Sequence, residues 1–206
     1  MVATLPWSAV TPPRRRRGAG RGEGWSGASV QRRDPGRAGD SVGPVTDPTP
    51  SGPYCHVIFD RPVIPPNTGN AIRMCAGTGA TLHLAGPLGF SLEEKHLRRA
   101  GLDYHDLADV RVHEGIDAAL DVVPGRVFAF TASAGTWHTA VDWRHGDALL
   151  FGTEPSGLPA EVLEDPRVTA HVRIPMLPGR RSMNLSNSAA VAAYEVWHRL
   201  GFPGAV

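Results

Sequence analysis

The sequence predicts an α/β fold in which helices cover both faces of a parallel sheet. Short segments rich in β-branched and aromatic residues alternate with helical segments from residue 54 onward. In the last helical segment, apolar residues recur at three- and four-residue spacing, which indicates one buried face. Polar loops follow three of the predicted strands, and sheets of this kind bind ligands at the carboxyl ends of their strands. We therefore expect a ligand site where these loops meet.

The first 50 residues differ in composition from the rest of the chain. They contain eight Arg and four acidic residues, whereas residues 51–206 contain thirteen basic and sixteen acidic residues. The segment is rich in Gly, Pro, Arg and Ser and cannot bury enough apolar surface to offset its ordering entropy. We predict a disordered tail over residues 1–53 and one domain over 54–206. The arginines at 14–17 could contact RNA phosphates, although a solvated tail or an upstream start codon is the simpler explanation.

Cysteine usage and hydropathy bear on the compartment. Cys55 and Cys75 are too few and too far apart for a disulfide framework or a zinc knuckle, so we expect buried thiols in a reducing, cytoplasmic setting. No apolar run approaches the ~20 residues of a membrane span. The N-terminal arginines are not followed by the apolar core of a secretory signal. No membrane partner is expected.

The elements of the domain follow from local signals. Three prolines between residues 61 and 66 predict an extended loop, and Gly79 predicts the end of the first helix. A capping box at residues 91–94 predicts the start of another helix. The predicted strands cover residues 55–60, 81–85, 110–113, 126–131 and 147–152. The predicted helices cover residues 67–78, 91–99, 116–122, 158–163 and 185–200.

The stretch over residues 173–187 is the most unusual part of the chain. We interpret it as a short apolar strand, a Pro/Gly-rich turn and a polar cluster that opens the last helix. Arg180, Arg181, Ser182 and Asn184 lie where a helix N-terminus favours an anionic or polar ligand. The alternative is that Ser182 or Asn184 only caps the helix.

Several common ligand signatures are missing. No G-x-G-x-x-G follows the first strand, no P-loop is present, and Ser156 lies in E-P-S-G-L rather than in a nucleophile elbow. No histidine pairs with another His or Cys at metal-ligand spacing. A dinucleotide site of the usual kind and a nucleophile elbow are therefore unlikely, and each histidine is expected at a surface position or a satisfied core position.

Three ordered motifs do resemble a known family. They are N-T-G-N-A-I-R at 67–73, L-L-F-G-T-E-P-S-G-L-P at 149–159 and I-P-M-L-P-G-R-R-S-M-N-L-S-N at 174–187. On these motifs the chain is identified as a member of the SpoU branch of the SPOUT methyltransferases. Residues 54–206 are similar to its small tRNA wobble-nucleotide 2′-O-methyltransferases, also through the segments at 86–90, 95–105 and 200–206.

The resemblance implies a fold and a set of partners. It implies a parallel sheet whose C-terminal segment forms a deep trefoil knot, a homodimer, S-adenosylmethionine as methyl donor and no metal. The implied substrate is the anticodon stem-loop of tRNA, methylated at position 34 on cytidine or a modified uridine. The basic residues Lys95, His96, Arg98 and Arg99 could hold the anticodon stem, or could form an ordinary solvated helix face.

The resemblance also implies roles for individual residues. Its cofactor-binding positions fall on Phe130, Gly152, Ile174 and Ser182. Gly152 suits close approach of backbone to a ligand. Phe130 departs from the smaller aliphatic residue that is commoner in the family.

The implied catalytic positions are Arg73, Asn67, Glu154 and Asn184. Asn67 and Glu154 are expected to hold the loops that orient Arg73. A guanidinium is not expected to deprotonate in a protein, so we favour Arg73 as a bidentate clamp on an RNA phosphate over a role as general base. Two other functions stay open from the sequence: ribose methylation of another RNA such as rRNA, and RNA binding without catalysis.

Overall fold

The computed structural model describes residues 52–91, 108–180 and 182–206. Within them, strands and helices alternate along the chain as expected. The strands are β1 (Cys55–Asp60), β2 (Thr81–Ala85), β3 (Val110–His113), β4 (Val127–Phe130), β5 (Thr136–Trp137), β6 (Asp147–Phe151) and β7 (Val168–Arg173). The helices are α1 (Pro65–Thr78), α2 (Ile116–Asp121), α3 (Ala160–Leu163) and α4 (Leu185–Arg199), with a 3₁₀ turn at His138–Ala140.

The described strands form one seven-stranded sheet in the order β3-β2-β1-β6-β4-β7-β5. Every neighbouring pair is parallel. Strands β1, β2 and β6 are buried along their whole length, as expected for a parallel sheet covered on both faces. The predicted parallel α/β sheet is confirmed.

Helices cover both faces of the sheet. Residues of α1 and α4, including Ile72 and Val196, join one apolar core with alternate residues of β1 and β6. Residues of α2 and α3, including Leu120 and Val162, join a second core with the remaining residues of the same strands. The alternation follows from the two-residue period of a strand, which sends successive side chains to opposite faces.

The ends of the two long helices follow sequence signals. Gly79 ends α1 with a φ of 78° and Gly201 follows α4 with a φ of 77°, both in the left-handed region that favours glycine. Ala189, Ala193 and Val196 on α4 are fully buried, as their spacing predicts. Both cysteines are buried free thiols, as predicted.

Several boundaries differ from the prediction, most of them by one or two residues, and two of the differences have a clear physical reason. Helix α1 begins at Pro65 rather than at residue 67, because proline is tolerated in the first helical turn, where its missing N–H is not needed. The strand expected within residues 173–187 lies upstream and ends at Arg173. Pro175 and Pro178 follow, and residues without an N–H cannot continue a ladder. Strand β5 and the 3₁₀ turn were not predicted, since two residues carry no detectable periodicity.

Three histidines form a chain across neighbouring strands, under the face covered by α2. His56 Nδ1 lies 2.9 Å from His83 Nε2, and His83 Nδ1 lies 2.9 Å from His113 Nε2. The pKa of His83 is lowered from 6.5 to about 3, mainly by burial and to a smaller extent by the neighbouring His56 and His113. The folded protein therefore holds this imidazole neutral.

Some predictions fall on residues outside the described part of the chain. These are the tail up to residue 51, Arg181, and the helix after Ser91 with its basic patch Lys95, His96, Arg98 and Arg99. Among the described residues, no helix is long and apolar enough to cross a membrane. Nor does any group of three or more His, Cys, Asp or Glu in that part of the chain have an arrangement that could hold a metal ion.

Candidate active site

A cleft of about 570 Å³ opens at the carboxyl ends of β4, β6 and β7. This is the edge at which parallel sheets bind ligands. Four segments line it: the start of α1, the loop after β4, the loop after β6, and the segment from the end of β7 into α4. Among the lining residues are Asn67, Phe130, Gly152, Glu154, Arg173, Ile174, Ser182 and Asn184.

A chain of hydrogen bonds joins the three sequence motifs beside this cleft. Glu154 Oε1 accepts from Asn67 Nδ2 at 2.9 Å. Asn67 Oδ1 in turn accepts from Asn184 Nδ2 at 2.8 Å. Asn67 is 87 positions from Glu154 and 117 positions from Asn184 in the sequence. The two contacts therefore fix the relative positions of three loops that are distant along the chain. Asn67 is buried, which makes its paired amide costly to disturb.

Glu154 also holds the backbone at the start of α1. Its carboxylate accepts from the N–H groups of Val63 at 2.9 Å and Ile64 at 3.2 Å. Ile64 is the N-cap and offers no side-chain acceptor of its own. The carboxylate from the β6 loop therefore provides the negative charge that a helix N-terminus favours.

Asn184 both caps a helix and belongs to the network. Its Oδ1 accepts from the Asn187 N–H at 3.2 Å and from Ser186 Oγ at 2.8 Å, which caps α4. Its Nδ2 points the other way, to Asn67. Asn184 therefore caps the helix, as the alternative expected, and its amide nitrogen also joins the hydrogen-bonded chain beside the cleft.

The apolar wall of the cleft is built on an aromatic pair. The Phe130 ring stacks on Phe151, with centroids 4.5 Å apart and planes at 25°. The His138 ring lies 6.2 Å from Phe130, and burial lowers the pKa of this imidazole. A flat neutral surface of this kind suits a planar apolar or aromatic ligand group.

A model of the SpoU rRNA Methylase family matches residues 54–194, more than half of the chain. The chain belongs to the SpoU methylase family. A tRNA (cytidine(34)-2′-O)-methyltransferase from Methylovorus glucosotrophus (strain SIP3-4) is 50% identical over 151 residues, which cover 73% of this chain and 98% of that relative.

Solved structures resemble this SpoU methylase as well. One, described as "Structural insights into the 2-OH methylation of C/U34 on tRNA", is 43% identical with a TM-score of 0.68, over 71% of this chain and 96% of the other. The SpoU methyltransferase AviRb from Streptomyces viridochromogenes, in complex with AdoMet, is 23% identical with a TM-score of 0.65, over 73% of this chain and 62% of AviRb. The second likeness shows a shared fold.

Seven of the eight site residues predicted from the sequence line the cleft of this SpoU methylase; the exception is Arg73. Arg73 lies on an exposed part of α1, six positions after Asn67 in the chain. A role toward a large external substrate fits this position better than a role toward a small ligand inside the cleft.

The structure gives a different reason for glycine at position 152. A Cβ at Gly152 would lie 2.0 Å from the Gly157 carbonyl carbon and 2.2 Å from the Leu158 nitrogen. The close approach comes from the protein's own β6 loop, which folds back on itself with a hydrogen bond from the Gly157 N–H to the Thr153 carbonyl. The requirement for glycine is therefore internal to the loop, whatever ligand the cleft holds.

Among the described lining residues that sequence reasoning did not predict, one is charged: Arg173. Arg173 ends β7 and lines the cleft. Its Nε is buried and has no hydrogen-bond partner among the described residues. The sequence offered no signal, since an arginine at a strand end is more often a solvated surface residue.

Proposed function

We propose that this SpoU methylase transfers a methyl group from S-adenosylmethionine to the 2′-hydroxyl of nucleotide 34, the wobble position, of tRNA. The relative that is 50% identical over 98% of its own length bears the name of that activity. The observation that carries the proposal is the hydrogen-bonded chain Glu154–Asn67–Asn184 beside the cleft. Its three members come from the three family motifs, and a protein that only bound RNA would not need them joined around a small-molecule cleft.

The cleft fits the donor. Its volume of about 570 Å³ lies within the range of roughly 300–1,000 Å³ typical of small-molecule sites. Phe130 supplies a ring face on which an adenine could stack, and Ile174 and Gly152 bring backbone polar groups to the same cleft. Ser182, which is exposed, adds a hydroxyl to the lining. Arg173 lines the same cleft and forms no ion pair with a described carboxylate, so its guanidinium is a cation that a bound ligand could engage.

In the transfer, the ribose oxygen forms a C–O bond with the donor's methyl group as the methyl C–S bond breaks, which leaves S-adenosylhomocysteine, and the hydroxyl proton passes to solvent water. Arg73 binds an RNA phosphate through two parallel N–H···O contacts and so positions the hydroxyl and stabilises its developing negative charge. Asn67, Glu154 and Asn184 keep the three loops in the geometry that the bound donor and RNA require. No step in this scheme uses a metal.

We also propose that the protein acts as a homodimer in the cytoplasm and that its C-terminal segment forms the trefoil knot implied by the family. Exposed Val191 and Tyr194, 41% and 49% accessible on the outer face of α4, support an interface there. Sedimentation velocity tests the assembly, since a mass near the 22.0 kDa of one chain contradicts the dimer.

The activity is tested with tRNA purified from a strain that lacks the gene. The protein is incubated with this tRNA and S-adenosylmethionine, and the RNA is digested and analysed for 2′-O-methylnucleosides by mass spectrometry. One new methyl group at position 34 is expected. Methylation of ribosomal RNA in a parallel reaction, with no methylation of tRNA, would contradict the proposal that tRNA is the substrate. RNA binding with no methylation of either contradicts the enzyme.

A further inference from the structure

Arg173 lines the cleft, and contacts of its backbone fix its position there. It pairs with Trp137 in the parallel register between β7 and β5. Its carbonyl oxygen lies 3.3 Å from Nδ1 of His138, the buried residue of the 3₁₀ turn. The Cα of Arg173 is therefore fixed at the end of a strand, and the side chain starts from a defined point in the cleft wall.

The guanidinium of Arg173 has unused hydrogen-bonding capacity. It carries five N–H donors and no acceptor, and its Nε–H is buried without a partner among the described residues. The Nε is enclosed by the protein, whereas the two terminal nitrogens of this half-buried side chain have neither that enclosure nor a hydrogen bond to a described residue, so they are the donors open to a ligand in the cleft. An oxyanion is the ligand group that matches this fork in both charge and shape.

The charges of the cleft lining point the same way. Of the lining residues that the structure describes, two are ionised: Arg173 and Glu154. Both carboxylate oxygens of Glu154 already accept hydrogen bonds, from Val63, Ile64 and Asn67. Within the described ranges, no carboxylate lies within ion-pair distance of Arg173. The cleft therefore has a site for one negative charge.

We propose that Arg173 binds the α-carboxylate of the methyl donor. This inference rests on the proposed function, which places the rest of the donor against Phe130, Gly152 and Ile174. The donor carries one carboxylate, on a chain short enough to remain inside the cleft. A phosphate of folded RNA is the other available oxyanion, but it sits on a bulky backbone and is better matched by an exposed cation such as Arg180.

The test uses two ligands that differ in one group. S-adenosylmethionine and its decarboxylated analogue share the adenosine, the sulfonium and the amine, and only the first has the carboxylate. Their affinities are measured by isothermal titration for the wild-type protein, for Arg173→Gln and for the control Arg144→Gln, whose side chain is 67% exposed. Thermal unfolding monitors the fold of each variant.

The wild-type protein and the control are expected to bind S-adenosylmethionine roughly tenfold to a hundredfold more tightly than the analogue, the range for a hydrogen-bonded ion pair. In Arg173→Gln this preference should fall to about twofold or less, with affinity for the analogue unchanged. Arg173→Lys should keep part of the preference because it keeps the charge but loses the fork.

Other outcomes overturn the inference. If Arg173→Gln loses affinity for both ligands equally, the side chain shapes the cleft and does not bind the carboxylate. Unchanged binding of both, with weaker binding of tRNA, would assign Arg173 to a phosphate. Should the Gln variant fail to fold, equal affinities of the two ligands for the wild-type protein would alone contradict the proposal. Wild-type protein that binds neither ligand refutes the proposed function itself, and the inference with it.

Discussion

Replacing Glu154 with glutamine tests the hydrogen-bonded chain most sharply, because the two side chains have nearly the same shape. The glutamine oxygen can still accept from Ile64 and Asn67, but its amide nitrogen then faces the Val63 N–H, and two donors oppose each other. One charge-assisted hydrogen bond is lost, worth about 1.5–3 kcal/mol, and two others lose their charge. Because Glu154 is half-exposed, water recovers part of this, and we expect a net loss of roughly 2 kcal/mol.

The loss is measured as the change in free energy of unfolding from urea titrations at pH 7, with Glu164→Gln on the exposed end of α3 as the matched control. Affinity for S-adenosylhomocysteine, followed in the same samples, should fall in Glu154→Gln, because the loops around the cleft are less firmly joined. The control should change neither quantity. A Glu154→Gln protein whose stability lies within about 0.5 kcal/mol of wild type, and whose affinity is unchanged, would refute the idea that this carboxylate joins the motifs.

Three further predictions concern Arg73, His83 and residues 1–50. Arg73→Lys keeps the charge and loses the planar fork, so the single-turnover methylation rate should fall roughly a hundredfold while affinity for S-adenosylhomocysteine barely changes. Full activity of Arg73→Lys would contradict the bidentate role. A low rate at neutral pH that rises steeply at high pH would indicate that residue 73 abstracts the proton instead. In the unfolded chain His83 binds a proton below pH ~6.5, whereas in the folded chain it stays neutral down to about pH 3 because its pKa is lowered to about 3. The contribution of His83 to stability is therefore greatest above pH ~6.5 and falls as the pH drops toward 3. At pH 5, His83 alone is expected to lower the free energy of unfolding by about 2 kcal/mol relative to its value above pH 6.5. Urea titrations should show that the stability of His83→Asn depends less steeply on pH. An unchanged pH dependence in this variant would contradict the neutral buried His83. Removing residues 1–50 should leave stability and S-adenosylhomocysteine affinity unchanged, as measured by thermal unfolding and titration calorimetry, and loss of soluble protein would show that the tail is structural.

Much of the fold could be predicted from local sequence signals. Strands β1 and β2 match their predicted ranges because each short, largely apolar run is bounded by proline or glycine on both sides, and β1 is also rich in β-branched and aromatic residues. The start of α1 was misplaced because Pro65 and Pro66 read as loop residues, although proline is compatible with a first helical turn. The strand order within the sheet was beyond such signals, since it depends on contacts between distant segments.

The candidate site was predicted through its motifs and understood only through its contacts. Glu154, Asn67 and Asn184 were recognisable by their place in three family motifs. That they form one chain, and that Glu154 also caps α1, could not be read from the sequence, because the partners lie 87 or more positions apart. Arg173 was missed because its distinctive feature is a buried nitrogen without a partner, which is a property of the folded structure.

The central claim is ribose methylation at position 34 of tRNA, and one measurement addresses it directly. Ribose 2′-O-methyl groups are mapped at nucleotide resolution in RNA from a strain that lacks the gene, and the strain is complemented with wild type or with Arg73→Ala. Methylation at position 34 of one or more tRNAs should disappear, with ribosomal RNA unchanged, and wild type but not Arg73→Ala should restore it. An unaltered position 34, or the loss of a methyl group from ribosomal RNA in its place, would contradict the claim.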